Sequence, residues 1–71
     1  MTSGAPDIDR LLGEYLDLRG EPGSDQLALL EAALYLEETF AIALTDADLS
    51  PGVMGTRELM ARLVSTRRGG A

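Results

Sequence analysis

Few residues in this chain can do chemistry. It holds no cysteine and no histidine, which excludes disulfides and zinc-thiolate sites and removes the commonest general base and the commonest transition-metal ligand. What remains is a serine beside an acid in Ser24-Asp25-Gln26-Leu27, a carboxylate pair in Asp46 and Asp48, the acids Glu31, Glu37 and Glu38 around an apolar run, and the arginines Arg57, Arg62, Arg67 and Arg68 near the C-terminus. Ser24 precedes a helix, where free N–H groups and the positive end of the dipole suit a phosphate. Its plainer role is a helix cap, which stabilises by roughly 0.5–2 kcal/mol. Asp46 and Asp48 lack a coordination loop, so capping is expected of them and no metal is. The four arginines could meet an acidic partner or a phosphate, but a solvated face matched to a helix dipole is the simpler expectation. No nucleophile, base and orienting group can be named together, so catalysis by this chain is not expected.

Charge points to the kind of partner. Eleven acids against Arg10 and Arg19 give residues 1–56 a net −9, whereas residues 57–71 carry net +3, for a total of −6. Such a field repels nucleic acid phosphates and anionic lipid and speeds encounter with basic protein patches. The expected partner is a protein, with no nucleic acid and no membrane. The plainer alternative is that the acidity only keeps a small domain soluble. The longest apolar stretch, Leu27 to Leu36, is interrupted by Glu31 and falls far short of the roughly 20 residues a membrane span needs. The N-terminal stretch is short, polar and acidic, unlike a secretory signal, so a cytoplasmic location is the default expectation. Arginine as the sole cation, with abundant Ala and Leu, suggests a high-GC bacterial source.

These residues must be positioned by one small domain, because 71 residues of which 45% are apolar can build a single core. Residues 1–6 carry Ser, Gly and Pro and are expected to be disordered. Ile8, Leu11, Leu12, Tyr15 and Leu16 recur at helical spacing, and this stripe predicts a first helix over about Asp7 to Leu18. Gly20, Pro22 and Gly23 break it. A second helix should be capped by Ser24 or Asp25 and run to about Phe40. Its core side is Leu29, Ala32, Ala33, Leu36 and Phe40. Leu27, Leu30, Glu31, Leu34 and Glu38 lie on the neighbouring side, so the apolar arc is wider than one core seam requires. Ala41 to Leu44 is a short connector, and Thr45, Asp46 and Asp48 start a brief helical turn that Pro51-Gly52 is expected to end. Thr56 reads as the cap of a last helix, with Glu58 in its first turn and Arg67 and Arg68 at its end. Leu59, Met60, Leu63 and Val64 form its inner face, with Val53 and Met54 packing just before it. The domain is expected over residues 7–66, with 67–71 a flexible tail. No strand alternation is visible. The fold class is all-α, a small bundle of three to four helices.

Two stretches, Asp25-Gln-Leu-Ala-Leu-Leu-Glu-Ala-Ala-Leu-Tyr-Leu-Glu-Glu-Thr-Phe40 with Ala41-Ile-Ala-Leu-Thr-Asp-Ala-Asp-Leu-Ser-Pro51, and Met54-Gly-Thr-Arg-Glu-Leu-Met-Ala-Arg-Leu-Val64, resemble the acyl or peptidyl carrier proteins. That family shows Asp-Ser-Leu, a helix ending in Leu-Glu-Glu-x-Phe, a connector into Asp-x-Asp-Leu, and a last helix opening with Ser or Thr. The resemblance implies a carrier-protein-like bundle whose second helix docks on biosynthetic enzymes of fatty acid, polyketide or nonribosomal peptide type. Three departures qualify it. Counting back from Phe40 puts Gln26 where the family's serine carries phosphopantetheine, and an amide cannot form that phosphodiester. The loop after the first helix is shortened to about Arg19 to Gly23. Arg57 stands where the family usually has an inward valine.

The function expected is therefore a carrier-protein-like module without the arm and with no cofactor, acting through Leu27, Leu30, Glu31, Leu34 and Glu38 as a scaffold or activator. One alternative is an authentic carrier with phosphopantetheine on Ser24. Another is a structural homodimer that buries its leucines against themselves. Leaving such leucines in water forgoes about 1.5–3 kcal/mol each, which is why a cover is expected. The opposite expectation is that the first and third helices enclose both sides of the second as ordinary core.

Overall fold

A computed structural model describes residues 7–69 of the chain. The expectations for residues 1–6, 70 and 71 fall outside the described residues. The elements are α1 (Ile8–Arg19), α2 (Gln26–Phe40), a 3-10 turn (Asp46–Asp48), α3 (Pro51–Met54) and α4 (Arg57–Gly69). Among the described residues there is no strand, as the sequence pattern predicts.

Each helix end follows from local chemistry. Asp7 caps α1, its carboxylate accepting from Arg10 N–H at 3.2 Å. Gly20 stops that helix at φ 80°, where its own N–H donates to Leu16 O at 2.7 Å. A side chain would be strained at this φ, and glycine is not. Asp25 caps α2. At the far end of α2 the left-handed position is filled by Ala41, φ 56° and ψ 47°, without the usual glycine. The cap of α4 is double: Thr56 Oγ accepts from Leu59 N–H at 3.2 Å, and the carboxylate of Glu21 accepts from Arg57 N–H at 2.8 Å. Glu21 thereby fastens the short α1–α2 loop to the start of the last helix. A second stitch runs from Gly23 N–H to Gly55 O at 2.9 Å.

The core gathers Leu12 from α1, Leu29, Ala32, Ala33, Leu36 and Phe40 from α2, Met54 from α3, and Met60, Leu63 and Val64 from α4. Every residue assigned to the core side of α2 by periodicity is buried. Burial of large side chains such as Leu12, Leu29, Leu36 and Met60 contributes about 1.5–3 kcal/mol each relative to exposure, and this is what assembles helices too short to persist alone. Helices α1 and α3 both pack on α4.

Three expectations are corrected. Pro51-Gly52 opens a helix and does not end one, because Pro tolerates the first helical position and Ser50 before it is extended. Leu59 is half-buried and outside the core, since it lies one step round α4 from the row of Met60, Leu63 and Val64. Helix α4 continues to Gly69, so Arg67 and Arg68 are helical residues and not part of a tail.

Candidate functional site

The outer side of α2 is open. Leu27, Leu30 and Leu34 are 64%, 47% and 52% exposed, and neither α1 nor α3 wraps over them. These residues lie three or four apart, so they form one ridge along the helix. A single exposed leucine is ordinary, but a contiguous row is not. Leu18 at the end of α1 is more exposed still, and the sequence reading did not single it out. Leu18 stands three residues after Tyr15 and seven after Leu11, so helical spacing places it at the edge of the stripe on α1.

The acids beside the ridge have different surroundings. Glu31 accepts from Arg19 Nη1 at 3.0 Å, an exposed ion pair that joins the end of α1 to the middle of α2. Glu37 turns toward the connector and accepts from Leu44 N–H at 2.9 Å, holding the chain where it leaves the helix. Glu38 is exposed and forms no ion pair among the described residues. Of the three acids expected to meet a partner, Glu31 and Glu37 are thus already engaged within the chain and Glu38 is the free one.

Tyr35 packs inward toward α1. Its hydroxyl donates to Leu11 O at 3.0 Å, and its ring stacks on Tyr15 with centroids 4.2 Å apart. Arg19 lies over Tyr15 at 6.0 Å, at the limit of a cation–π contact. Burial pushes the Tyr15 phenol above its ordinary value, partly opposed by the Arg19 charge.

At the start of α2 the carboxylate of Asp25 accepts from Leu27 N–H at 3.0 Å and Ala28 N–H at 3.2 Å. Of the two candidate caps, Asp25 is the one used. An aspartate both bonds these donors and matches the helix dipole. Ser24 is exposed in the turn before it and forms none of the cap bonds, while Gln26 is the first helical residue, also exposed.

Asp48 serves structure. One of its oxygens accepts from Thr45 N–H at 2.8 Å and Thr45 Oγ at 3.1 Å, and the other from Arg67 Nη2 at 2.6 Å. The Thr45 backbone bond, with the Arg67 guanidinium adding, holds this buried carboxyl below its ordinary range despite desolvation. Arg67 also donates to Ala43 O at 3.1 Å, so the arginine expected on a solvated face ties the connector to α4. Arg57 does similar work, donating to Asp9 O at 3.0 Å. Among the described residues no group of three or more His, Cys, Asp or Glu is placed to hold a metal ion, and no helix is long and apolar enough to cross a membrane.

No family model, curated protein or solved structure matches this chain.

Proposed function

We propose that the chain is a carrier-protein-like helical module that docks the leucine ridge of α2 on an enzyme of the kind that reads carrier proteins, and that it acts there as a scaffold or activator. The observation carrying this reading is the exposure of Leu27, Leu30 and Leu34 together, bordered by the unpaired Glu38. The alternation of long helices with one short helix before the last supports it, as do the residues of α2 and α4 that resemble the carrier family. Gln26 supports the absence of a prosthetic arm, because its amide offers no hydroxyl to esterify. The interface would be an apolar centre of three leucines with Glu38 on its rim, facing an apolar patch that brings a lysine or arginine. The test is binding of the purified chain to a carrier-reading acyltransferase or synthase, followed by titration calorimetry. Glu31→Lys with Glu38→Lys should abolish the heat of binding while the helical spectrum stays unchanged. Unaltered binding rejects this surface.

A second reading is favoured by one feature of the α2 start. Because Asp25 supplies the cap, the Ser24 hydroxyl stands exposed beside a helix N-terminus and is open to modification as an authentic carrier serine would be. The order Ser24-Asp25-Gln26-Leu27 opposes it, since the family places Asp before the serine and Leu after. Intact mass after incubation with coenzyme A and a broad phosphopantetheinyl transferase separates the two readings. A mass gain that disappears in Ser24→Ala makes the chain a carrier and overturns the first reading.

A further inference from the structure

Beside the ridge on α2 the molecule has a second unpartnered apolar feature, of opposite polarity. An open groove of about 330 Å³ runs between α3 and α4, with Val53, Leu59 and Leu63 as its apolar floor and Gly52 and Arg62 among its lining residues. Arg67 reaches the same groove but is held by Asp48, whereas Arg62 is exposed and makes no ion pair among the described residues. A volume near the lower end of the roughly 300–1,000 Å³ typical of ligand pockets, open to solvent, suits side chains inserted from a surface better than an enclosed molecule. Gly52 leaves the lip bare, since a Cβ built there meets nothing within 4 Å.

We infer that this groove receives the α2 ridge of a second copy of the chain. The chemistry matches on both sides: Leu27, Leu30 and Leu34 form the apolar face of a helix, and Glu38 is the unpaired acid at its border, while the groove offers an apolar floor and the unpaired Arg62. This is the helix-in-groove mode, in which residues three, four and seven apart anchor a helix. The surfaces that meet are unlike, so the association differs from a dimer that packs leucine on leucine. A ridge-on-ridge pair with its two α2 helices parallel would bring Glu38 toward Glu38, and like charges disfavour that register. The contact rests on three leucines and one charge pair, so it belongs to the weak, transient class of protein interfaces. Its role is to shade the leucines while no enzyme is bound, which rests on the same ridge as the docking proposal but not on any partner.

Sedimentation velocity between about 10 μM and 1 mM tests it on the full chain. The wild type should rise above its monomer mass of 7.6 kDa as concentration increases. A ridge variant, Leu30→Glu with Leu34→Glu, and a groove variant, Gly52→Glu with Arg62→Glu, should each associate at least tenfold more weakly, with unchanged helical spectra since all four positions face solvent. Mixed in equal amounts they should associate again, because one supplies an intact groove and the other an intact ridge. A wild type that stays monomeric at the highest concentration overturns the inference. So does a groove variant that associates as well as wild type, which would mean ridge on ridge, or a mixture that stays monomeric. The groove variant keeps its ridge and should still bind a carrier-reading enzyme, so failure of self-association and failure of enzyme docking are read separately.

Discussion

Replacing Asp48 by asparagine isolates the most concentrated polar interaction in the fold. The side chain is 8% exposed and its two oxygens take three bonds: Thr45 N–H at 2.8 Å and Thr45 Oγ at 3.1 Å on one, Arg67 Nη2 at 2.6 Å on the other. Asparagine keeps one acceptor oxygen and turns an NH₂ group toward whichever donors sat on the second. If the oxygen stays with Thr45, the guanidinium of Arg67 faces another donor; if it turns to Arg67, the capping bond of the 3-10 turn is lost. A lost cap is worth about 0.5–2 kcal/mol and a lost hydrogen bond to a charged group about 1.5–3. The side chain of Arg67 is 34% exposed, so solvent recovers part of that charge. The expected loss is about 2 kcal/mol. A 71-residue domain has a total stability of about 4–10 kcal/mol, so this is a substantial share. Urea unfolding followed by circular dichroism should show the midpoint falling with the slope unchanged. The loss should also depend on pH. The folded carboxyl is held below its ordinary value of 3.8, so its contribution is present above the unfolded value and disappears as pH falls through the folded one. Wild type and variant should therefore converge in acid. A loss under about 0.5 kcal/mol at neutral pH, or a gap that stays constant into acid, would refute the reasoning.

At Ala41 the left-handed backbone, φ 56°, strains any side chain, so Ala41→Gly should stabilise by about 0.5–1 kcal/mol in the same urea assay. The reverse holds at Gly55, where an added Cβ would sit 2.5 Å from Pro51 O and 3.1 Å from Gly23 O; Gly55→Ala should destabilise by about 1–3 kcal/mol in thermal unfolding. The Tyr15 phenol is raised above 10.0 chiefly by burial, so the stability it contributes holds below the unfolded value and is lost as pH rises through the folded one. Tyr15→Phe should accordingly flatten the alkaline limb of the stability profile measured by urea unfolding.

Helix existence and the core side of α2 were legible in the sequence because both depend on periodicity, which a chain displays residue by residue. Leu29, Ala32, Ala33, Leu36 and Phe40 recur at the helical period and all are buried. The width of the apolar arc was legible for the same reason, but that α1 and α3 leave Leu27, Leu30 and Leu34 uncovered depends on how the bundle closes and is seen only in the fold. What stayed hidden depends on contacts between distant residues. Arg67 meets Asp48 from 19 positions away and Arg57 N–H meets Glu21 from 36, and no local pattern announces either. The start of α3 was misread because Pro-Gly signals a break as readily as a helix opening, and only the extended Ser50 before it decides. These long-range ties share one consequence for function. Arg67 and Arg57 are committed to holding the connector and α1 on α4, and Arg19 is committed to Glu31. Among the described residues that leaves Arg62 and Arg68 outside any ion pair, and of the two Arg62 is the exposed one, opposite in sign to the unpaired Glu38 beside the ridge. Arg62 and Glu38 each border exposed or half-buried leucine, and recognition of another polypeptide is what such a pairing of charge with apolar surface is suited to.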